Sequence, residues 1–248
     1  MNTPELAITG PVATITLRRP EHANRLSPDD LAVLADHIGK INATPEVLVL
    51  QLRAGGPYFC SGYDITRIGS ARTVNFEALV NTVEDARPVT IAVLHGSVYG
   101  GATDLALACD FRLGVPGIDM FMPAARLGLH FYQRGLERYV SRLGLDQAKR
   151  LFLTAEKIGA QEMKAIGFLT NLVEAEDLEA TATQLTQACC AMAPMALLGM
   201  KRHLNRIARG CLNVAELQAD IAQSVNSDDL REGQAAWTEK RAPRFTGQ

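Results

Sequence analysis

The stretch VLHGSVYGGATDLALACD, residues 93–110, sets two adjacent glycines, Gly100 and Gly101, behind a strand-like run and a lone carboxylate, Asp104, three residues later. Its neighbours Leu105, Ala106, Leu107 and Ala108 are apolar, and an ionised carboxylate among them is costly unless something compensates it. A second glycine-bearing turn, FCSGYDI, follows the run VLVLQL. Glycine lets a backbone approach a ligand closely, and the N–H groups at a helix start are unpaired and point outward. Two such donors aimed at one point would stabilise an oxyanion; taken alone, the two turns are equally compatible with ordinary strand-to-helix connections. Neither fits a competing motif: there is no G-x-x-x-x-G-K-S/T for a triphosphate, no G-x-G-x-x-G for a dinucleotide and no G-x-S-x-G nucleophile elbow.

The elements that must position these residues are readable from periodicity. LAIT and VATITL, separated by Gly10 and Pro11, predict a hairpin. SPDDLAVLADHIGKI predicts a helix with Ser27 as N-cap, Pro28 at its first position, and Leu31, Leu34, Ala35 and Ile38 on one face. VLVLQL and VTIAVLHG read as buried strands, NFEALVNTVEDA and ATDLALACD as the helices after their turns, and FRLGV as a further strand. This alternation predicts an α/β fold of repeated ββα units with a largely parallel sheet. From about residue 135 the pattern turns helical, through GLERYVSRLG, DQAKRLFLTA, GAQEMKAIG and LEATATQLTQACCAMA, and beyond Pro194 it contains no evident strand.

The 248 residues suffice for one large or two ordinary domains with a well-buried core. Five cysteines, an odd number with no C-x-x-C pair and no histidines at zinc-ligand spacing, predict a reduced, cytoplasmic setting and no metal site. Residues 1–20 carry no export signal pattern, and no apolar run is long enough for a membrane span. A formal charge of −2 argues against nucleic-acid binding, which needs a clustered basic surface. KRHLNRIAR, the one basic run, reads as a solvated helix face.

Five segments in order, FCSGYDI, GSVYGGATDLALACDFRLG, PAARLGL, LFLTAEKIGAQEMKAIGFLTNLV and LREGQAAWTEKRAPRF, resemble the crotonase superfamily, the enoyl-CoA hydratase and isomerase family, over essentially the whole chain. The resemblance implies a crotonase-like spiral of ββα units over 1–193 that binds acyl-CoA, then a helical oligomerisation region over 194–248 that forms a homotrimer or homohexamer. It implies two backbone N–H donors, at Tyr63 and Gly101, that polarise a thioester carbonyl so that an enolate forms. Asp104 stands where the family carries an acid facing the acyl carbons, and a buried carboxylate there has a raised pKa suited to moving protons.

One family feature is missing. Where relatives usually read P-E-x-x-L-G, with that glutamate as the second acid, this chain reads Pro123-Ala124-Ala125-Arg126-Leu127-Gly128. Just downstream, HFYQRG offers His130, Tyr132 and Arg134 as substitutes, and His203 is a further candidate, since some superfamily decarboxylases place a histidine on the corresponding helix. For the CoA moiety the resemblance points to His22, Ala23 and Arg25, to Ser61 and Asp64 around the first donor, and to Trp237 and Lys240 reaching a neighbouring subunit.

These residues imply an enzyme that acts on an acyl-CoA, or on an acyl group carried by a carrier protein's pantetheine, by isomerisation or hydration with Asp104 as acid/base. Decarboxylation, thioester hydrolysis and a non-catalytic acyl-CoA-binding role are the alternatives. No cofactor beyond the substrate's own CoA is expected.

Overall fold

The structure is a computed structural model that describes residues 2–64, 66 and 75–248. The chain opens with β1 (Glu5–Thr9) and β2 (Val12–Leu17), an antiparallel hairpin in which Thr9 faces Val12. Helix α1 (Pro28–Asn42) follows; Ser27 and Asp30 close a reciprocal capping box, with Ser27 N–H donating to Asp30 Oδ2 at 2.7 Å. Its Leu31, Leu34, Ile38 and Ile41 are buried, as the apolar periodicity requires.

The chain then winds through three similar turns. Each lays down one long strand, β3 (Val49–Ala54), β5 (Val89–Leu94) or β7 (Phe111–Gly114), and then one short strand, β4 (Tyr58–Cys60), β6 (Ser97–Tyr99) or β8 (Asp119–Phe121). The long strands pair in parallel in the order β2-β3-β5-β7, with β1 antiparallel at the β2 edge, and the short ones in parallel in the order β4-β6-β8. Two strands of two residues each, β9 (Ile158–Gly159) and β10 (Asn171–Leu172), join the short and long sheets respectively. All six residues of β5 are buried, Thr90 included, which is why VTIAVL is apolar at every remaining position instead of alternating with exposed polar residues.

Helix α2 (Phe76–Glu84) follows β4, and α3 (Gly101–Ala108) follows β6. Every residue of α3 from Ala102 to Ala108 is buried, so it has protein on all sides. Next come α4 (Gln133–Leu143), α5 (Leu145–Thr154), α6 (Ala160–Ala165) and α7 (Leu178–Cys190). Beyond them α8 (Pro194–Ala208), α9 (Val214–Val225) and α10 (Asp228–Glu239) form a helical layer whose middle helix buries no residue. Among the described residues no helix is long and apolar enough to cross a membrane, and no group of acidic, histidine or cysteine side chains could hold a metal ion.

Candidate active site

Stacking β4 beside β6 brings the two glycine-bearing turns together at the start of α3. Gly62 sits at φ +94, and a Cβ built on it would lie 2.8 Å from the Tyr99 carbonyl oxygen and 3.0 Å from the Gly101 nitrogen. Only a residue without a side chain fits there. The next residue, Tyr63, forms a parallel bridge with Leu26: Leu26 N–H donates to Gly62 O at 2.8 Å and Asp64 N–H to Leu26 O at 2.9 Å. That alternation turns Tyr63's own N–H to the opposite side of the segment. Gly101 is the first residue of α3, so its N–H has no partner within the helix. A close approach guards it as well, because a Cβ on Gly101 would stand 2.6 Å from Phe76 Cζ. Two backbone donors next to each other at a helix start can stabilise a developing oxyanion.

Asp104 lies one turn further along α3 and is fully buried. Helix α4 covers it. The Tyr132 hydroxyl donates to Asp104 Oδ2, and Arg138 Nη1 lies 3.5 Å from the same oxygen. Gly135 makes this possible, since a Cβ there would stand 2.2 Å from Phe131 Cε1 and 2.8 Å from Tyr132 Cε2. Seven residues after Tyr132, on the same face, Tyr139 Oη lies 2.5 Å from Thr103 Oγ1. Burial raises the Asp104 pKa above the ordinary 3.8; Arg138 and the Tyr132 hydroxyl pull it back down, and the Glu84 carboxylate pushes it up. Burial, and then the charge of Asp104, push the Tyr132 phenol up, so it stays a neutral donor.

Pro123 borders the same turn, with its Cδ 4.0 Å from the Cβ position of Gly100. Ala124, the next residue, is buried and brings a methyl group where the second acid of the family motif would stand. Of the substitutes considered from sequence, only Tyr132 meets Asp104. His130 is exposed, with Nδ1 2.7 Å from the Phe131 carbonyl oxygen. Arg134 is directed instead to the end of α2, 2.7 Å from Asp85 and 2.5 Å from Glu84. His203, buried on α8, has Nε2 2.7 Å from Asp220 Oδ2 on α9, so it is a tie between two helices of the outer layer.

The residues considered for CoA form two groups. Ala23 accepts a hydrogen bond from Ser61 N–H at 2.9 Å, and Arg25 lies 3.8 Å from Asp64, so these four join the segment after β2 to the first donor turn; His22 is exposed beside them. Ile65, which closes FCSGYDI, lies outside the described residues. Trp237, 89% exposed, and Lys240 stand on α10 and its cap. Arg138 and Glu84 were not foreseen from sequence. Neither residue's burial shows in the sequence; the packing of α2 against α4 brings Glu84 and Arg138 together.

The chain is similar to known proteins over nearly its whole length. Residues 7–248 match the family described as enoyl-CoA hydratase/isomerase. A short-chain-enoyl-CoA hydratase of Clostridium acetobutylicum is 30% identical over 243 residues, covering 94% of this chain and 93% of that one. A peroxisomal Delta(3,5)-Delta(2,4)-dienoyl-CoA isomerase of Arabidopsis thaliana is 27% identical, covering 93% and 91%. A crystal structure of an enoyl-CoA hydratase/carnithine racemase from Magnetospirillum magneticum superposes with a TM-score of 0.91 at 25% identity, covering 100% of this chain and 97% of that one. With its spiral of strand pairs and a match across nearly its whole length, the chain belongs to the enoyl-CoA hydratase/isomerase family.

Proposed function

We propose that this enzyme moves the double bond of an enoyl-CoA, with Asp104 as the single proton carrier. The observation that carries the reading is the asymmetry of the site: a buried carboxylate on one side and the methyl of Ala124 on the other. Tyr63 and Gly101 N–H groups polarise the thioester oxygen, which makes the protons on the adjacent carbon acidic. Asp104 removes one of them, the electrons spread into a dienolate, and the same carboxyl group returns the proton two carbons further along. This cycle needs no second acid and no water. Hydration requires a water to be held and deprotonated as well, and the site lacks the second carboxylate that would share that work.

The CoA moiety is assigned to the groove of His22, Ala23, Arg25, Ser61 and Asp64, and Trp237 and Lys240 are assigned to a neighbouring subunit's CoA. Exposed apolar residues on the outer helices, among them Met200, Leu204, Ile207, Ile221 and Val225, support assembly into a homotrimer or homohexamer. Five unpaired cysteines fit a reducing, cytoplasmic compartment. The chemistry calls for no group beyond the CoA of the substrate.

The test is a side-by-side rate measurement on 3-enoyl-CoA thioesters, followed by the absorbance of the conjugated product, and on crotonyl-CoA in water. The expected result is conjugation faster than hydration, with most of the migrating hydrogen retained when the reaction runs in D2O. Crotonyl-CoA hydration faster than isomerisation of every 3-enoyl-CoA tried would assign the site to hydration instead.

A further inference from the structure

We propose that Arg138 and Glu84, together with Tyr132, form a positioning unit that immobilises one oxygen of Asp104 and leaves the other as the only atom that moves a proton. This rests on the reading of Asp104 as the acid/base. The two oxygens differ completely in their surroundings. Oδ2 receives the Tyr132 hydroxyl and faces Arg138 Nη1 at 3.5 Å, whereas Oδ1 is buried and has no hydrogen-bond partner among the described residues. A buried acceptor without a partner calls for an explanation in any fold; here it is the lone pair available to a substrate C–H. Rotation about the Cβ–Cγ bond would exchange the oxygens, and the Tyr132 hydrogen bond and the nearby Arg138 charge on Oδ2 oppose it.

Arg138 is itself held from several directions. Nη2 donates to Asn81 Oδ1 at 3.1 Å, Nη1 donates to the Arg134 carbonyl oxygen at 3.1 Å, and Nε lies 3.3 Å from Glu84 Oε1. Asn81 and Glu84 both lie in the last turn and a half of α2, so that helix acts as the frame against which the guanidinium is aligned. Arg134 meets the other oxygen of Glu84 at 2.5 Å, which means that Glu84 keeps a cation even without Arg138. Among the described residues, the charged and titratable groups acting on Asp104 are Arg138, Arg142 and Tyr139 from α4, Tyr132 at its N-cap and Glu84 from α2.

The signs differ, and this gives the test. Arg138 and Tyr132 favour the carboxylate, whereas Glu84 disfavours it. In the pH profile of kcat/KM for isomerisation, activity falls on the acid side as Asp104 takes up a proton. Arg138→Gln should move that limb up by about one unit or more, the effect of losing a cation at this distance. Tyr132→Phe should move it up as well and lower kcat more than it changes KM, while Glu84→Gln should move it down. Arg138→Lys should restore the limb towards wild type while leaving kcat reduced, because an ammonium lacks the planar fork. A merely structural role would change melting and rate without opposite displacements. If Arg138→Gln does not fold, Glu84→Gln and Tyr132→Phe make the same opposed comparison. Asp104→Asn, run in parallel, separates the two readings: an active Asp104→Asn protein overturns the base assignment, and an inactive one alongside folded variants with unmoved limbs overturns the positioning unit alone.

Discussion

Replacing Gly62 by alanine is the sharpest test of how the two donor turns are held together. The added methyl would lie 2.8 Å from the Tyr99 carbonyl oxygen and 3.0 Å from the Gly101 nitrogen, on a residue at φ +94. A side chain forced into that region costs about 1–3 kcal/mol. Both contacts are with backbone, which cannot swing aside as a side chain can. For a chain of this length each kcal/mol lowers the melting temperature by about 2–4 °C, so the expected fall is roughly 2–12 °C. Relief comes through separation of the Tyr63 and Gly101 donors, and the loss of one well-aimed donor lowers kcat by about 10²–10³. Gly101→Ala is the control, since its added methyl meets the Phe76 ring at 2.6 Å, and a ring at the start of a helix can turn away. It should melt closer to wild type while losing turnover. Thermal melts, turnover on the best 3-enoyl-CoA and the affinity for a CoA product together resolve the three proteins. A Gly62→Ala enzyme that melts and turns over like wild type would refute the convergence of the two turns.

Asp104→Asn should reduce proton transfer on the order of 10²-fold or more with product affinity nearly unchanged. Because burial raises the folded-state pKa of Asp104 above 3.8, the unfolded chain gives up that proton more readily, and the ionised group subtracts stability at neutral pH. The Asn variant should therefore melt above wild type at pH 7, with the gap closing as pH falls through the raised value towards 3.8; a lower melting temperature at pH 7 would contradict the sign. Removal of residues 228–248 should weaken both self-association and CoA binding, and sedimentation of the intact chain as a stable monomer at micromolar concentration would contradict the assembly.

Most of the spiral was legible because β3, β5 and β7 are largely buried and α1 and α2 carry side-chain caps, Ser27 and Asn75. The short strands were not: β4, β6 and β8 have three residues each and β9 and β10 two, too few to display a period of two. Their pairing comes from the stacking of turns, as Tyr58 meets Ser97 and Val98 meets Met120. Asp104 stood out as an acid in an apolar helix, and Tyr132 through its place after the altered Pro123-Ala124 motif. Arg138 and Glu84 were hidden because charged residues on amphipathic helices ordinarily face water; their burial is decided by how α2 and α4 close over α3. His203 was misleading for the same reason, since its partner, Asp220, is a helix away.

Helix α9 has a consequence for the order in which the molecule forms. Twelve residues are too few to hold a helix in water on their own, and this one buries none of its side chains. What ties it to α8 is polar, the ion pairs of Asp220 with Arg202 and of Glu216 with Arg206 and the hydrogen bond of Asp220 with His203, on a surface where salt weakens the ion pairs. The spiral can fold by the cooperative logic of a single chain, whereas in the proposed assembly α9 would take its persistence from the neighbouring copy that covers Ile221 and Val225. If that assembly forms, its backbone amides would exchange with solvent on a clock set by encounter, making protein concentration a variable in the stability of one part of the chain and not of the rest.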